Sequence, residues 1–316
     1  MILRQDGHIP GVVNEDPLDL ARQAGRLTAS SQAKLEFPDP DRERELTFPH
    51  AQLFPISGDH IEAVQLLLRS NLREDAEIRL GLRAAESVWD FRSNPDLAEA
   101  RARVPAGREE WVRFALNARV EPSRLYYVYT GAHPGVFWKA YSHAPTEPSR
   151  IPVGSTPADL PGERRWRPIN QGNALCLQVF PESQPYSPRN VIAGTNRPDT
   201  WTNIWVSDPA APLPAWIELG WDSPQSFNLV QLTFDTNPLR RETAPLFRYP
   251  DCVKDYTLEA RIGGSWQSLA EVRDNYSRRR LHRIDKVRSD ALRIRVEATN
   301  GAPSARIYEV RVYEEV

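Results

Sequence analysis

The sequence predicts an all-β protein: two tandem antiparallel β-sandwiches of jelly-roll type behind a short N-terminal linker or helix. Three observations predict it. Short runs along most of the chain alternate apolar with polar residues, the period of a half-buried strand rather than of a helix. The chain carries 28 prolines, which fits many short strands joined by ordered loops. Its 316 residues exceed the usual size of one domain, and half that length suffices to bury a core of its own.

The elements follow in order. Residues 1–28 hold the turn-rich Gly7-His8-Ile9-Pro10-Gly11 and a stretch, 16–24, suited to one short helix. That helix has too small an apolar face to stand alone, so 1–28 is expected to be a linker or the remnant of a preceding domain. Residues 29–180 form the N-terminal sandwich, with strands at 51–56, 61–68, 76–82, 111–116, 125–129, 136–141 and 175–180. Residues 87–103 are the exception, and Leu97-Ala98-Glu99-Ala100 suggests one helical turn or a connecting loop. A linker over 181–189 is stiffened by Pro181, Pro185 and Pro188 and is expected to hold its neighbours at a restricted angle.

Residues 190–316 form the second sandwich. Its strands are expected at 205–207, 216–219, 227–232, 255–260, 293–296 and 307–313, with Gly263-Gly264-Ser265-Trp266 as a tight hairpin. Ile61-Glu62-Ala63-Val64-Gln65-Leu66 echoes Phe227-Asn228-Leu229-Val230-Gln231-Leu232, a weak internal repeat that supports two sandwiches of similar build.

Composition narrows the function classes. A formal net charge of -2 argues against a generic nucleic-acid binder. Lys34, Lys139, Lys254 and Lys286 are the lysines, so arginine is the main base, the mark of a GC-rich genome. Cys176 and Cys252 fall in different expected domains, which gives two buried thiols and no disulfide framework. No run of eighteen apolar residues exists to span a membrane, and residues 1–11 lack the apolar core of a secretory signal. Dinucleotide, phosphate-loop, nucleophile-elbow and zinc-protease motifs are all missing. The histidines are scattered singly and read as surface or hydrogen-bonded structural residues.

The C-terminal landmarks stand in a recognisable order: the turn Asn190-Val191-Ile192-Ala193-Gly194, then Trp205-Val206-Ser207, Trp216-Ile217-Glu218-Leu219-Gly220, the Gly-Gly hairpin and the closing strand to Tyr313. Residues 187–316 thereby resemble a discoidin domain, the coagulation-factor C-type or galactose-binding-like β-sandwich. The resemblance implies binding of glycans, phospholipids or proteins through loops at one end, and an extracytoplasmic or secreted setting.

Three loops carry the candidates. Residues 195–202 include Trp201, which either packs the loop or offers a stacking platform. Residues 235–251 include Arg241, Phe247, Arg248 and Tyr249, and a loop of that length inside a compact sheet is more often functional than accidental. In it Phe247 and Tyr249 either meet ligand or pin the loop down. Residues 275–280 include Tyr276 and Arg278, where arginines serve either a salt-bridged surface or an anionic ligand such as an acidic sugar. The family also implies a structural calcium near the opening turn. Glu309 matches its closing carboxylate, Asn196 and Asp199 with Thr200 are the further donors, and Ala193 replaces the usual aspartate.

A more distant resemblance spans the chain. Asp6-Gly7-His8-Ile9-Pro10-Gly11, Asn14-Glu15-Asp16-Pro17-Leu18-Asp19-Leu20-Ala21, Thr28-Ala29-Ser30-Ser31 and Val206-Ser207-Asp208-Pro209 are similar to the tandem sandwich region that trails the flavin domain of certain bacterial FAD-dependent oxidoreductases. The expected function is a non-catalytic carbohydrate-binding accessory module, with no FAD or NAD of its own. Its partners would be a glycan or polysaccharide and a catalytic domain N-terminal to it. Two alternatives remain: a polysaccharide-degrading enzyme, with Asp90, Glu109, Glu110, Tyr127 and His133 as places to look, and a structural docking region of such an oxidoreductase.

Overall fold

The computed structural model describes residues 16–34, 39–85, 91–92, 95–122, 124–141, 165–166, 174–194, 196, 204–236 and 248–315. Their regular structure is nearly all antiparallel strand, as the alternation predicts. The chain divides into two compact units, and one is inserted in the other: residues 1–34 group with 186–198 and 203–316, while 35–185 with 199–202 form the second unit.

Strands are numbered along the chain, and β1 (Arg26–Ala29) belongs to the outer unit. The inserted unit is a two-sheet sandwich. One sheet combines β2 (Arg42–Leu46), β4 (His60–Ser70), β8 (Glu109–Arg119), β10 (His133–Tyr141), β12 (Ala174–Leu175) and β13 (Leu177–Phe180). The other runs in the order β3 (His50–Pro55), β9 (Leu125–Thr130), β5 (Ala76–Ala84), β7 (Ala98–Val104). A two-residue pair, β6 (Phe91–Arg92) with β11 (Arg165–Trp166), stands apart from both. Alternation along β8 buries Val112, Phe114, Leu116 and Ala118 and exposes Arg113, Ala115, Asn117 and Arg119. These inward side chains meet Ile78, Leu80, Leu82 and Val128 of the second sheet in one core.

Two local expectations change. Leu97-Ala98-Glu99-Ala100 is no helical turn: residues 98–104 are the edge strand β7, paired to β5 over seven positions. Its inward side chains are small, Ala98, Ala100, Ala102 and Val104, which mimics helix composition. Its outward ones close ion pairs with β5, Arg101 to Glu77 at 3.1 Å and Glu99 to Arg79 at 2.6 Å. The strand expected over 175–180 is broken at Cys176 into β12 and β13.

On the outer face of β5, the Tyr129 ring lies across Gly81, its cross-strand partner. A Cβ at Gly81 would fall 2.2 Å from the ring. The phenol donates to Asp96 at 2.9 Å and accepts from Arg83 at 2.9 Å, and the Arg83 guanidinium stacks on the ring at 4.3 Å. Glycine is therefore required by space at this position.

The outer unit is a second sandwich, from β14 (Trp205–Val206), β15 (Ala215–Phe234), β16 (Val253–Ile262), β17 (Ser265–Val272), β18 (Arg279–Thr299) and β19 (Arg306–Tyr313). The separate strands expected at 216–219 and 227–232 are one strand of 20 residues. Its first half pairs β1 and the second half of β18; its second half pairs β19 and the first half of β18. Register shifts between Gly220 and Gln225 and between Phe227 and Leu229 mark the bend from one layer to the other. Ile217, Leu219, Leu258 and Ile294 from one layer meet Val230, Leu232, Val310 and Val312 from the other. The expected hairpin forms, with Gly263 at φ 60° and Gly264 at φ 83°, the left-handed pair that a two-residue turn demands.

The described part of 1–28 is not a linker. A 3-10 turn at Leu20–Gln23 is capped by Asp19, whose carboxylate accepts from the Ala21 N–H at 3.0 Å and the Val312 N–H at 2.9 Å. Ala21 is fully buried, and Trp221 Nε1 donates to the Leu20 carbonyl at 2.8 Å. The apolar face is indeed small, and it is stable because β15 and β19 supply the rest of its core. Likewise only part of 181–189 is free to link, since Tyr186 is 1% exposed and Ser187 caps the next 3-10 turn, Pro188–Ile192.

His282 on β18 shares a buried hydrogen bond with Tyr256 of β16, 2.9 Å from Nε2 to the hydroxyl. Burial, reinforced by Arg280, holds its pKa down at about 4.

Two outcomes follow. Gly81→Ala must displace the Tyr129 ring and is expected to destabilise the protein by about 1–3 kcal/mol, the usual cost of overpacking; denaturant unfolding measures it. Between about pH 6.5 and 4 the unfolded chain binds a proton at His282 and the folded one does not, so stability is lost as pH falls through that window. Asp19, pushed by burial up to about 6, acts in the opposite direction. His282→Gln keeps an acceptor for Tyr256 but cannot titrate. Its melting temperature relative to wild type should therefore rise as pH falls from about 7 to about 4.5, and a constant difference would refute the coupling.

Candidate functional site

The described ends of the loops expected to carry ligand contacts, Asn196, Asp235, 248–251 and 273–278, belong to the C-terminal sandwich, where strand ends are tied by buried polar groups. The long 235–251 loop leaves β15 at Asp235 and returns at Asp251. Arg306, at the start of β19, holds both feet: Nη1 lies 3.5 Å from Asp235 and 2.9 Å from Asp251, with the aspartates 2% and 12% exposed. A charge triad this buried costs desolvation, and it is tolerated because each charge has a partner.

The 273–278 loop is fixed in the same way. Asp274 adopts φ 54°, a left-handed conformation that Asp and Asn accept more readily than most residues. Asn275 is 2% exposed and donates to the Val253 carbonyl at 2.7 Å. Asn300 donates to the carbonyls of Cys252 at 3.1 Å and Asn275 at 2.9 Å. Cys252 is buried in this knot, its thiol pushed up to about 12 by burial, which disfavours the thiolate that a nucleophile needs.

On this frame Arg248 and Tyr276 come together. The Arg248 guanidinium grips Asp274 through two bonds of 2.6 and 2.9 Å. It also sits 5.5 Å from the centre of the Tyr276 ring. The hydrogen bonds with Arg248 hold the Asp274 carboxyl below the usual range. Tyr276 is 48% exposed, the most exposed aromatic among the described residues of this end. Arg278 faces inward: it donates to the Asn196 carbonyl and lies 5.7 Å over the Tyr308 ring, linking two of the three loops. Tyr249 packs part-buried against the core, on the anchoring side of its two readings. Trp201, Arg241, Phe247 and Asp199 lie outside the described residues.

Of the expected calcium donors, Asn196 and Glu309 are described. Asn196 is 4% exposed, and its Oδ1 is a buried acceptor without a hydrogen-bond partner. That orphan oxygen fits a cation. Glu309, 2% exposed, is ion-paired with Arg311, whose Nη2 lies 2.7 Å from one carboxylate oxygen, while both of its oxygens are buried acceptors without a hydrogen-bond partner. These are two of the six to eight oxygen donors calcium prefers, and no cluster of three acidic, His or Cys ligands occurs among the described residues.

The inserted unit has a cavity of its own, about 960 Å³, with Trp111, Tyr141 and Phe180 in its wall beside Asp39, Glu109 and Glu182. Glu109 is thus the one enzyme candidate of the sequence, among the described residues, that reaches this concave surface. Glu110 is exposed on β8, and His133 starts β10, its pKa lowered by burial. Tyr127 is fully buried, its phenol pushed up to about 12. Asp90 lies outside the described residues.

The sequence candidates Arg248, Tyr276 and Arg278 lie on a frame set by Asp274, Asn275, Asn300 and Arg306, which were not singled out. The Asp274-Asn275 pair and the Thr299-Asn300-Gly301 turn were readable as loop-fixing chemistry; the reach of Arg306 to Asp235 and Asp251 had no local signal.

No protein-family model matches the chain, and no curated protein matches it. Among solved structures it is similar to the family 32 carbohydrate-binding module of EndoD from Streptococcus pneumoniae, at 20% identity over 43% of this chain and 91% of that one, TM-score 0.36. CpGH89CBM32-5 from Clostridium perfringens, in complex with GalNAc-beta-1,3-galactose, gives 16%, 40% and 82%, TM-score 0.30. Chitosan-binding module 1 of the chitosanase/glucanase from Paenibacillus sp. IK-5 gives 16%, 41% and 86%, TM-score 0.31. At such identities and scores no ligand follows for this chain.

Proposed function

We propose that this chain is a non-catalytic carbohydrate-binding module whose ligand meets the loop end of the C-terminal sandwich. One observation carries the reading: the Tyr276 ring, 48% exposed, stands beside a guanidinium and a carboxylate that lock each other in place. A ring face suits the apolar face of a sugar, and fixed charged groups beside it suit hydroxyls, a preorganised pairing of apolar platform and few polar groups. The glycan reading carries with it an accessory role beside a catalytic domain and an extracytoplasmic setting.

The test is calorimetry of the full chain against a panel of neutral and acidic glycans. Tyr276→Ala is expected to weaken binding by about two- to tenfold, in the range of a lost aromatic contact, with the melting temperature unchanged because the ring is half exposed. Full affinity in that variant would remove Tyr276 from the site, and silence across the panel would remove the function.

A calcium ion centred on Asn196 Oδ1 is part of the same proposal. Millimolar calcium should raise the melting temperature of the wild type by ligand linkage and leave Asn196→Ala unmoved. The absence of any shift in the wild type would exclude the ion.

A further inference from the structure

We propose that the cavity of the inserted sandwich is a second ligand site, for an oligosaccharide that bears protonated amines. Among its described lining residues the charged side chains are Asp39, Glu109 and Glu182, all acidic. The chain carries 40 lysines and arginines, yet none of them is among those lining residues. Three carboxylates on the wall of one concavity disfavour an acidic polysaccharide and attract a cationic one. The volume, about 960 Å³, is at the upper end of what small-ligand sites occupy, room for several sugar rings.

The wall supplies the second half of the recognition. Trp111 packs part-buried against Leu67, Tyr141 and Cys176, which fixes its indole while leaving part of it accessible. One face of the Phe180 ring is taken by Arg113, whose guanidinium lies 4.8 Å from its centre. Trp111 is therefore the principal platform, and an indole is the ring most favourable to a cation above its face. Cys176 contributes no chemistry: it is fully buried, with its thiol pushed up to about 11 by burial.

Glu109 is partly engaged, 3.2 Å from Lys139 Nζ, and Lys139 also reaches Glu43 at 3.6 Å. Lys139 thus keeps a carboxylate partner when Glu109 is neutralised. Glu182 accepts from the Gln184 amide at 2.6 Å, a neutral donor that leaves the carboxylate charge in place. Glu109→Gln with Glu182→Gln therefore removes two charges without removing volume.

The experiment uses the full chain at about pH 5.5 and low salt, where hexosamine amines are protonated and charge attraction is least screened, with Trp fluorescence and calorimetry as readouts and a thermal melt as the folding control. The probes are a β-1,4-linked glucosamine tetramer, its fully N-acetylated counterpart, an oligogalacturonate and tetralysine. The glucosamine tetramer should bind, and the double Gln variant should weaken it at least about tenfold while melting like the wild type. Trp111→Phe, a milder change than truncation, should weaken it and reduce the fluorescence response. The proposal is overturned if the N-acetylated or uronate probe binds as tightly, if tetralysine binds as tightly, if the double variant binds as wild type, or if no probe binds.

Discussion

Two strands, β15 and β18, run through both layers of the C-terminal sandwich, and the register they set is what the loop end depends on. Because side chains alternate with period two, a slip of one residue along either strand would turn Val230, Leu232, Ile294 and Val296 out of the core. The shifts at the bend let one continuous hydrogen-bonded ladder serve two layers. Asp235, just past the end of β15, and Arg278, just before the start of β18, therefore emerge together. The Phe234 N–H donates to the Arg278 carbonyl at 2.7 Å and pins the two strand ends to each other. Arg306 then joins Asp235 to Asp251, and Asn300 joins the 252 and 275 backbones. The exposed Arg248, Asp274 and Tyr276 rest on this buried layer.

The insertion has a physical consequence for stability. The C-terminal sandwich is assembled from pieces on both sides of the inserted unit, so the contacts of Asp19 with Val312 and of β1 with β15 close over a long stretch of chain. Such contacts yield their stabilisation only after the loop-closure entropy has been met. The Asp19 site shows how tightly the closure is made. Its carboxylate satisfies two backbone N–H groups at once, while burial works against its ionised form.

Much of this fold was legible in the sequence, because a half-buried strand writes its burial in every second residue. Residues 61–68, 76–82 and 111–116 fall inside β4, β5 and β8, and the glycine pair of the 263–264 hairpin gave its turn directly. Strands whose inward residues are small or few were not legible. β7 hides behind alanines, and β2, Arg42-Glu43-Arg44-Glu45-Leu46, turns one fully buried apolar residue to the core. The continuity of β15 was masked by Asp222, Ser223 and Pro224 at the bend, which look like a loop and are exposed like one while the strand runs through them. At the candidate site, Arg248 and Tyr276 were found by residue type alone. Their supports, Asp274, Asn275 and Arg306, depend on long-range register that no local pattern encodes.

The distribution of charge bears on why the proposed ligand contacts lie at a loop end and a cavity rather than on a broad sheet face. On the outer face of the first layer, the Arg293 guanidinium lies between two indoles, 3.7 Å from the Trp266 ring and 5.0 Å from the Trp216 ring. Glu218 at 3.2 Å and Glu259 at 3.8 Å balance it, and Arg295 with Glu297 at 3.0 Å extends the ladder. Both aromatic faces nearest Arg293 are covered by its guanidinium, and the carboxylates are engaged with arginines. A ligand approaching there would have to displace contacts already made, and the exchange returns little net energy. Tyr276 and Trp111 differ in that each keeps accessible surface beside the contacts that fix it. Aromatic groups of this kind, fixed by their neighbours yet still exposed, lose little conformational entropy when a ligand arrives.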